Sequence, residues 1–167
     1  MSILSELRDR VQKVSDGMDG FVRDVVTGRE SDILELQRRQ LLEGLSSSGE
    51  DMRPYYSEDI KPKGYFNSKE SARRYSVWKE GLSYPYSANR NPDAPNLYIN
   101  GKFHSELGVV FDVRSVGVIG KTVYAKEIMA KYGIRAFGLM WANWNEIFYR
   151  RGGYDELMNK VKETLYV

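Results

Sequence analysis

LYINGKFHSELGVVFDVRSVGVIGK, Leu97 to Lys121, is the stretch on which the fold class turns. Val109, Phe111 and Val113 alternate with Val110, Asp112 and Arg114, and a second run begins after Ser115 at Val116, Val118 and Ile119. β-Branched and aromatic residues at a two-residue period predict strands, and Gly117 and Gly120 mark turns or bulges. Asn100-Gly101 is a turn signal between extended runs, read as a hairpin or loop tip that turn chemistry alone explains.

Working outward, helix signals lie on both sides. Downstream, Thr122 to Tyr132 reads as a short helix stopped by Gly133. Ile134 to Leu139 reads as extended, and a last helix spans about Asn143 to Leu165 with Gly152 and Gly153 inside it. Upstream, Leu4, Leu7, Val11, Val14 and Met18 recur at three- and four-residue steps, and Phe21, Val22, Val25 and Val26 carry the pattern towards Gly28. A second helix is expected from an N-cap at Ser31, with Asp32 beside it, apolar faces at Ile33, Leu34, Leu41 and Leu42, and Gly44 at the C-cap. Ser46 to Asp51 is a loop. Helices, strands and helices in that order predict an α+β chain. Residues 1–30 form an N-terminal helical segment, and 31–167 a single α+β domain. That domain carries a long Tyr-rich insertion or arm at about 52–96, which holds all five prolines and a helical stretch from Ser68 to Gly81.

Composition narrows the function classes. The chain has 167 residues, no cysteine and one histidine. Disulfides, thiolate zinc sites, iron–sulfur clusters, cysteine nucleophiles and any site that needs two imidazoles are therefore excluded. No apolar run approaches the roughly 20 residues of a membrane span, and no basic-then-apolar leader is visible at Met1 to Arg10. The net charge of +2 is unevenly placed. Residues 1–60 carry eight Lys/Arg against 13 Asp/Glu, a net of −5; residues 61–104 carry eight against three, a net of +5.

Chemistry-bearing constellations are few. His104 and Glu106 would share a face if they lay on a strand, but one imidazole and one carboxylate fall short of a metal shell, and a surface or partly buried imidazole is the expectation. Glu30, Asp32 and Glu35 read as helix-start charges. Gly117 to Thr122 resembles the end of a phosphate loop, yet its glycine spacing is too short. No catalytic residue, cofactor or metal ligand is expected. The basic, aromatic middle is the signal for contact: Lys61, Lys63, Lys69, Arg73, Arg74, Lys79 and Arg90 interleave with Tyr65, Phe66, Tyr75, Trp78, Tyr84 and Tyr86. Tyr, Trp and Arg compose protein–protein hot spots. Stacking rings with phosphate-binding cations equally describe a single-stranded nucleic-acid module. The acidic first third offers a complement and favours the protein interface, with Arg73, Arg74, Tyr75, Trp78, Tyr84, Tyr86, Asn100 and Gly101 as candidate contact residues.

Three segments carry a family resemblance. Ser31 to Gly44, then Gly49 and Pro54-Tyr55-Tyr56, resembles a "helix, Gln-Leu-x-x-Gly, Gly, then Pro-Tyr" pattern. It is found in small virion neck proteins of tailed phages, particularly Bacteroides-infecting, crAss-like ones. Pro95 to Ser105 is similar to the "Leu, Thr-Gly, Asp-Phe, then Ser" motif of that group, with Asn100 at the Thr and Lys102 at the Asp position. Lys131-Tyr132-Gly133 followed by Phe137-Gly138-Leu139 is the third. The resemblance implies a head–tail connector or tail-completion protein with a small antiparallel sheet flanked by helices. It implies a homo-oligomeric ring that contacts portal, neck and tail proteins within the virion, with DNA passing through and no catalysis. Ring subunits joined head to tail need two different complementary surfaces, and the charge split supplies a candidate pair.

Overall fold

Two helices open the chain. α1 (Ile3–Thr27) and α2 (Glu30–Leu42) are separated by Gly28 and Arg29. In this computed structural model the described residues are 3–56, 66–82, 84–85, 91–112 and 115–166. α2 is the helix around which the core is built: Ile33, Leu36, Gln37, Gln40 and Leu41 fall at three- and four-residue steps, and all are buried. The expected N-cap at Ser31 is corrected. With only two residues between the helices, α2 restarts at Glu30, Arg29 holds the cap position without a side-chain cap bond, and Ser31 already sits in the first turn. Glu30 and Asp32 still place negative charge at the helix start. The other end matches expectation. Gly44, at φ +77°, lets the Leu45 N–H reach the Gln40 carbonyl and its own N–H the Leu41 carbonyl, both at 3.0 Å, a Schellman ending. A Cβ at Gly44 would also stand 2.8 Å from the Ala94 side chain.

α3 (Lys69–Glu80) starts at Ser68, whose hydroxyl accepts the Ser71 N–H at 3.3 Å. Met52, Tyr55, Ala72, Lys79 and Ala94 are buried, so the described parts of 52–96 pack on the body of the domain. Residues 57–65 and 86–90 lie outside the described residues, so the long Tyr-rich insertion or arm expected at about 52–96 is not confirmed.

The extended reading of residues 97–106 is corrected. The Asn100 side chain accepts the Lys102 N–H at 3.1 Å and Gly101 takes φ +79°, which starts a helical turn, α4 (Lys102–Ser105), where a hairpin tip was expected. The strands follow: β1 (Leu107–Phe111) pairs antiparallel with β2 (Val116–Gly120), Leu107 opposite Gly120 and Val109 opposite Val118. Leu107 and Val118 face the core while Val110 and Ile119 face out. The chain is thus α+β, with a two-stranded antiparallel sheet flanked by N- and C-terminal helices.

Beyond the sheet come α5 (Ala125–Tyr132), a 3-10 turn at Ile134–Ala136, α6 (Trp141–Asn145), a π-helical turn at Glu146–Arg150 and α7 (Gly153–Tyr166). The extended piece expected over 134–139 begins instead with the 3-10 turn, because Gly133 at φ +78° lets the Ala136 N–H return to its carbonyl and buries Ala136 completely. The interruption expected at Gly152-Gly153 falls there, with Gly152 at φ +80°. α7 runs back along α1 in the opposite direction, pinned by Arg29 to Glu156 (3.2 Å), Lys160 to Asp24 (3.3 Å) and Arg10 Nη1 to the Leu165 carbonyl (2.9 Å). No helix among the described residues is long and apolar enough to cross a membrane.

Candidate functional site

The candidate contact residues divide between surface and interior. On α3, Arg73 and Arg74 are exposed, Trp78 is 51% exposed and Val77 62%. Residues 73, 74, 77 and 78 recur at the spacing of one helix face, so cations and apolar groups share it. Arg74 meets Glu70 at 3.5 Å. Tyr75 points the other way, edge-on to Tyr55 at 5.2 Å, 4.9 Å from Phe66 and 5.4 Å from Trp78. Tyr84 donates its hydroxyl to the Lys79 carbonyl and sets its ring 5.4 Å from Tyr98. Asn100 and Gly101 form the turn before α4. Tyr86, like Lys61, Lys63, Tyr65 and Arg90, lies outside the described residues. Lys79 is not a surface cation: it is 1% exposed, bonded to the Asn96 side-chain oxygen and about 6 Å from the Tyr55 and Tyr75 ring centroids. Lys79 is therefore committed to the fold, while Tyr75 is half-buried within the ring cluster.

His104 is corrected likewise. It lies on α4 rather than on a strand, so it and Glu106 do not share a strand face, and it is 5% exposed. Its Nε2 donates to the Asn96 carbonyl at 3.0 Å, which leaves Nδ1 as a bare acceptor. Burial, reinforced by the positive charges of Lys79 and Arg38, pushes its pKa down to about 4 against the pull of the Asn96 bond. The neutral imidazole is a structural member of the core. Among the described residues no group of three His, Cys, Asp or Glu side chains is placed to hold a metal ion.

Above this cluster lies a cleft of about 560 Å³, lined by Tyr55, Tyr75, Leu97, Phe103, Ile128 and Tyr132. Leu97 adopts φ +51°, which is uncommon for a residue other than glycine. The Thr122 hydroxyl beside it is buried without a partner among the described residues.

Sequence reasoning missed α2's polar residues. Gln37 and Gln40 occupy core positions of an amphipathic helix, and that misplaced polarity was the available signal. Gln37 Oε1 accepts the Gly138 N–H at 2.9 Å. Gln40 Nε2 donates to the Gly138 carbonyl, and its Oε1 accepts the Met140 N–H and Asn143 Nδ2, each at 2.9 Å. From the same helix Arg38 Nε donates to the His104 carbonyl at 2.8 Å. At the far side of α2, Arg151 gathers Asp32 (2.8 Å), Glu35 (2.9 Å) and Glu146 (2.7 Å). Those three carboxylates raise its pKa further, and it in turn lowers that of Glu35.

The N-terminal end of α1 is another exposed apolar surface: Ile3 is 84% exposed, Leu4 76%, Leu7 55% and Val11 53%. No protein-family model, curated protein or solved structure matches this chain.

Proposed function

We propose that the protein is an assembly subunit of the tailed-phage neck, a head–tail connector or tail-completion component that works by subunit contact. One observation carries the reading: the three segments on which the resemblance rests meet on α2. Gln40 of the Gln-Leu-x-x-Gly segment holds Gly138 and Met140 beside the Phe-Gly-Leu segment, and Arg38 holds the carbonyl of His104 in the Asn-Gly segment. Residues scattered over a hundred positions are thus coupled through direct hydrogen bonds, which gives their order and spacing a physical reason. The exposed faces suit such a role. Trp78 and Val77 beside Arg73 and Arg74 form one exposed contact face, and the exposed end of α1 is a second apolar surface.

Sizing and negative-stain imaging of the chain, alone and with portal and tail proteins, test this. Rings, or assembly that depends on the portal, are the expected result. A chain that stays monomeric and ignores those proteins would end the reading. Arg73→Ala should impair assembly and leave the thermal midpoint unchanged, and Trp78→Ala should impair assembly with only a small drop in midpoint from its lost contact with Tyr75. A salt-sensitive shift of oligonucleotides, lost in the same two variants, would favour the nucleic-acid module instead.

A further inference from the structure

α1 carries a stricter pattern than an amphipathic helix requires. Leu4, Leu7, Val11, Val14, Met18, Phe21 and Val25 follow alternating steps of three and four, the a and d positions of a coiled-coil seam through three heptads. α7 covers only part of it. At 1.5 Å per residue the 25 residues of α1 span roughly 37 Å and the 14 of α7 roughly 21 Å. The antiparallel pairing brings the end of α7, at Leu165, beside Arg10. Val25 is fully buried and Val14, Met18 and Phe21 are half-buried, whereas Ile3, Leu4, Leu7 and Val11 are exposed. The same seam is thus a packed interface at one end and open at the other.

We propose that this open end is a self-association surface, filled by the same segment of a second copy running antiparallel. Continuity is the first reason. A helix laid over Ile3 to Leu7 extends the α1–α7 seam where α7 stops, and a second heptad seam carries the knobs to fill those holes. The second is direction. A parallel partner would drive its own Val11 to Met18 into the tip of α7, whereas an antiparallel one leads away from it. The third is charge, which selects the register. Setting Leu7 against Val11 of the second copy would place Arg8 against Arg8 and Arg10 against Arg10 across the flanks. Setting Leu4 against Leu7 of the second copy faces Arg10 with Ile3 and removes that repulsion. About two helical turns bury far less than the ~1,200–2,000 Å² of a stable interface. The contact is therefore weak alone and gains strength where other contacts already hold subunits together. It deepens the assembly reading and rests on it.

The absence of native cysteine makes the test clean. Leu4→Cys and Leu7→Cys variants are oxidised separately and mixed, and sedimentation of the unmodified chain is followed over concentration beside Leu7→Lys, a substitution at an exposed position whose fold is checked by circular dichroism. The expected result is concentration-dependent association, weakened at least about tenfold by Leu7→Lys, and a disulfide that forms faster in the mixture than in either variant alone. If the unmodified chain assembles and Leu7→Lys assembles equally well, the self-association surface is refuted while the assembly reading stands. Faster pairing of Leu7→Cys with itself refutes the antiparallel register. A unmodified chain that never associates, with or without portal and tail proteins, overturns both.

Discussion

Two buried polar clusters flank α2, and they are built differently. In one, Gln37, Gln40 and Asn143 spend their amides on backbone groups of Leu36, Gly138 and Met140 and on each other. In the other, Asn96 accepts from Lys79 and from the Tyr98 N–H and takes the His104 proton on its carbonyl, yet Asn96 Nδ2 and His104 Nδ1 stay buried without partners among the described residues. The first cluster is neutral and satisfied, so it acts as a clamp of fixed geometry. The second holds a cation, an imidazole and bare polar atoms beside a strained Leu97, so its stability depends on protonation. What separates them is whether every buried polar atom is answered.

The largest effect is expected from breaking the clamp. Gln40→Ala strips partners from the Gly138 carbonyl and the Met140 N–H, leaves Asn143 Nδ2 with only the Leu36 carbonyl at 3.5 Å, and opens a void in the core. A loss of about 4 kcal/mol in denaturant unfolding is expected from those orphaned groups and the cavity combined. A loss below about 1 kcal/mol would mean that water or a shifted backbone replaces the clamp.

Acid attacks the second cluster. The folded pKa of His104 is about 4 against 6.5 when unfolded. Between those values the unfolded chain binds the extra proton, so stability rises with pH across this window and is flat above it. The full loss on going from pH 7 to pH 4 is about 3 kcal/mol at 1.36 kcal/mol per unit. His104→Gln keeps a donor for the Asn96 carbonyl and cannot titrate. Its stability profile should lack that slope, and the single imidazole can be followed by NMR. Glu35 acts lower down: Arg151 depresses its pKa, so its contribution is present above 4.5 and is lost as pH falls through its folded value. A slope between pH 4 and 6.5 that survives His104→Gln would remove the imidazole from the explanation.

How legible these clusters were follows from the range of the interactions that make them. The strands at 107–111 and 116–120, the Gly44 ending and the break at Gly152-Gly153 depend on near neighbours, and periodicity with glycine placement exposed them. Asn100-Gly101 was recognised as a turn, but its outcome depended on whether Lys102 continued as strand or helix, which two-residue alternation does not decide. His104 read as a surface or partly buried imidazole and Lys79 as a contact cation, because nothing local announces that Asn96 will bury both. Gln37 and Gln40 bond residues about a hundred positions away. Only their polarity at core positions of α2 hinted at it. Tyr75 and Tyr84 shared composition with Trp78, yet helix phase and the Tyr98 ring turned them inward and left Trp78 outside.

Charged contacts nearer the solvent extend the comparison downwards. Arg151 answers Asp32, Glu35 and Glu146 while its side chain keeps 23% of its exposure. Arg151→Ala leaves three carboxylates close together, and a loss of about 2 kcal/mol is expected, smaller in high salt. A loss that does not change with salt would show that the aliphatic stem, and not the charge, is what holds α2 to the π-helical turn.

The smallest effect belongs to the Arg74–Glu70 pair, whose side chains keep 75% and 81% of their exposure at 3.5 Å. Water already solvates both partners, so fixing two long side chains offsets most of the Coulomb gain. Arg74→Ala should change unfolding stability by less than about 0.5 kcal/mol. If Arg74 nevertheless proves necessary for assembly, its role lies with a partner, because the folded chain gains so little from it. A stability loss as large as that of Arg151→Ala would instead mean that Arg74 is anchored within the fold, and that the exposed face of α3 is smaller than its helix phase indicates. The position of a charge relative to water, more than its count of partners, decides which of these residues serve the fold and which are left for contact.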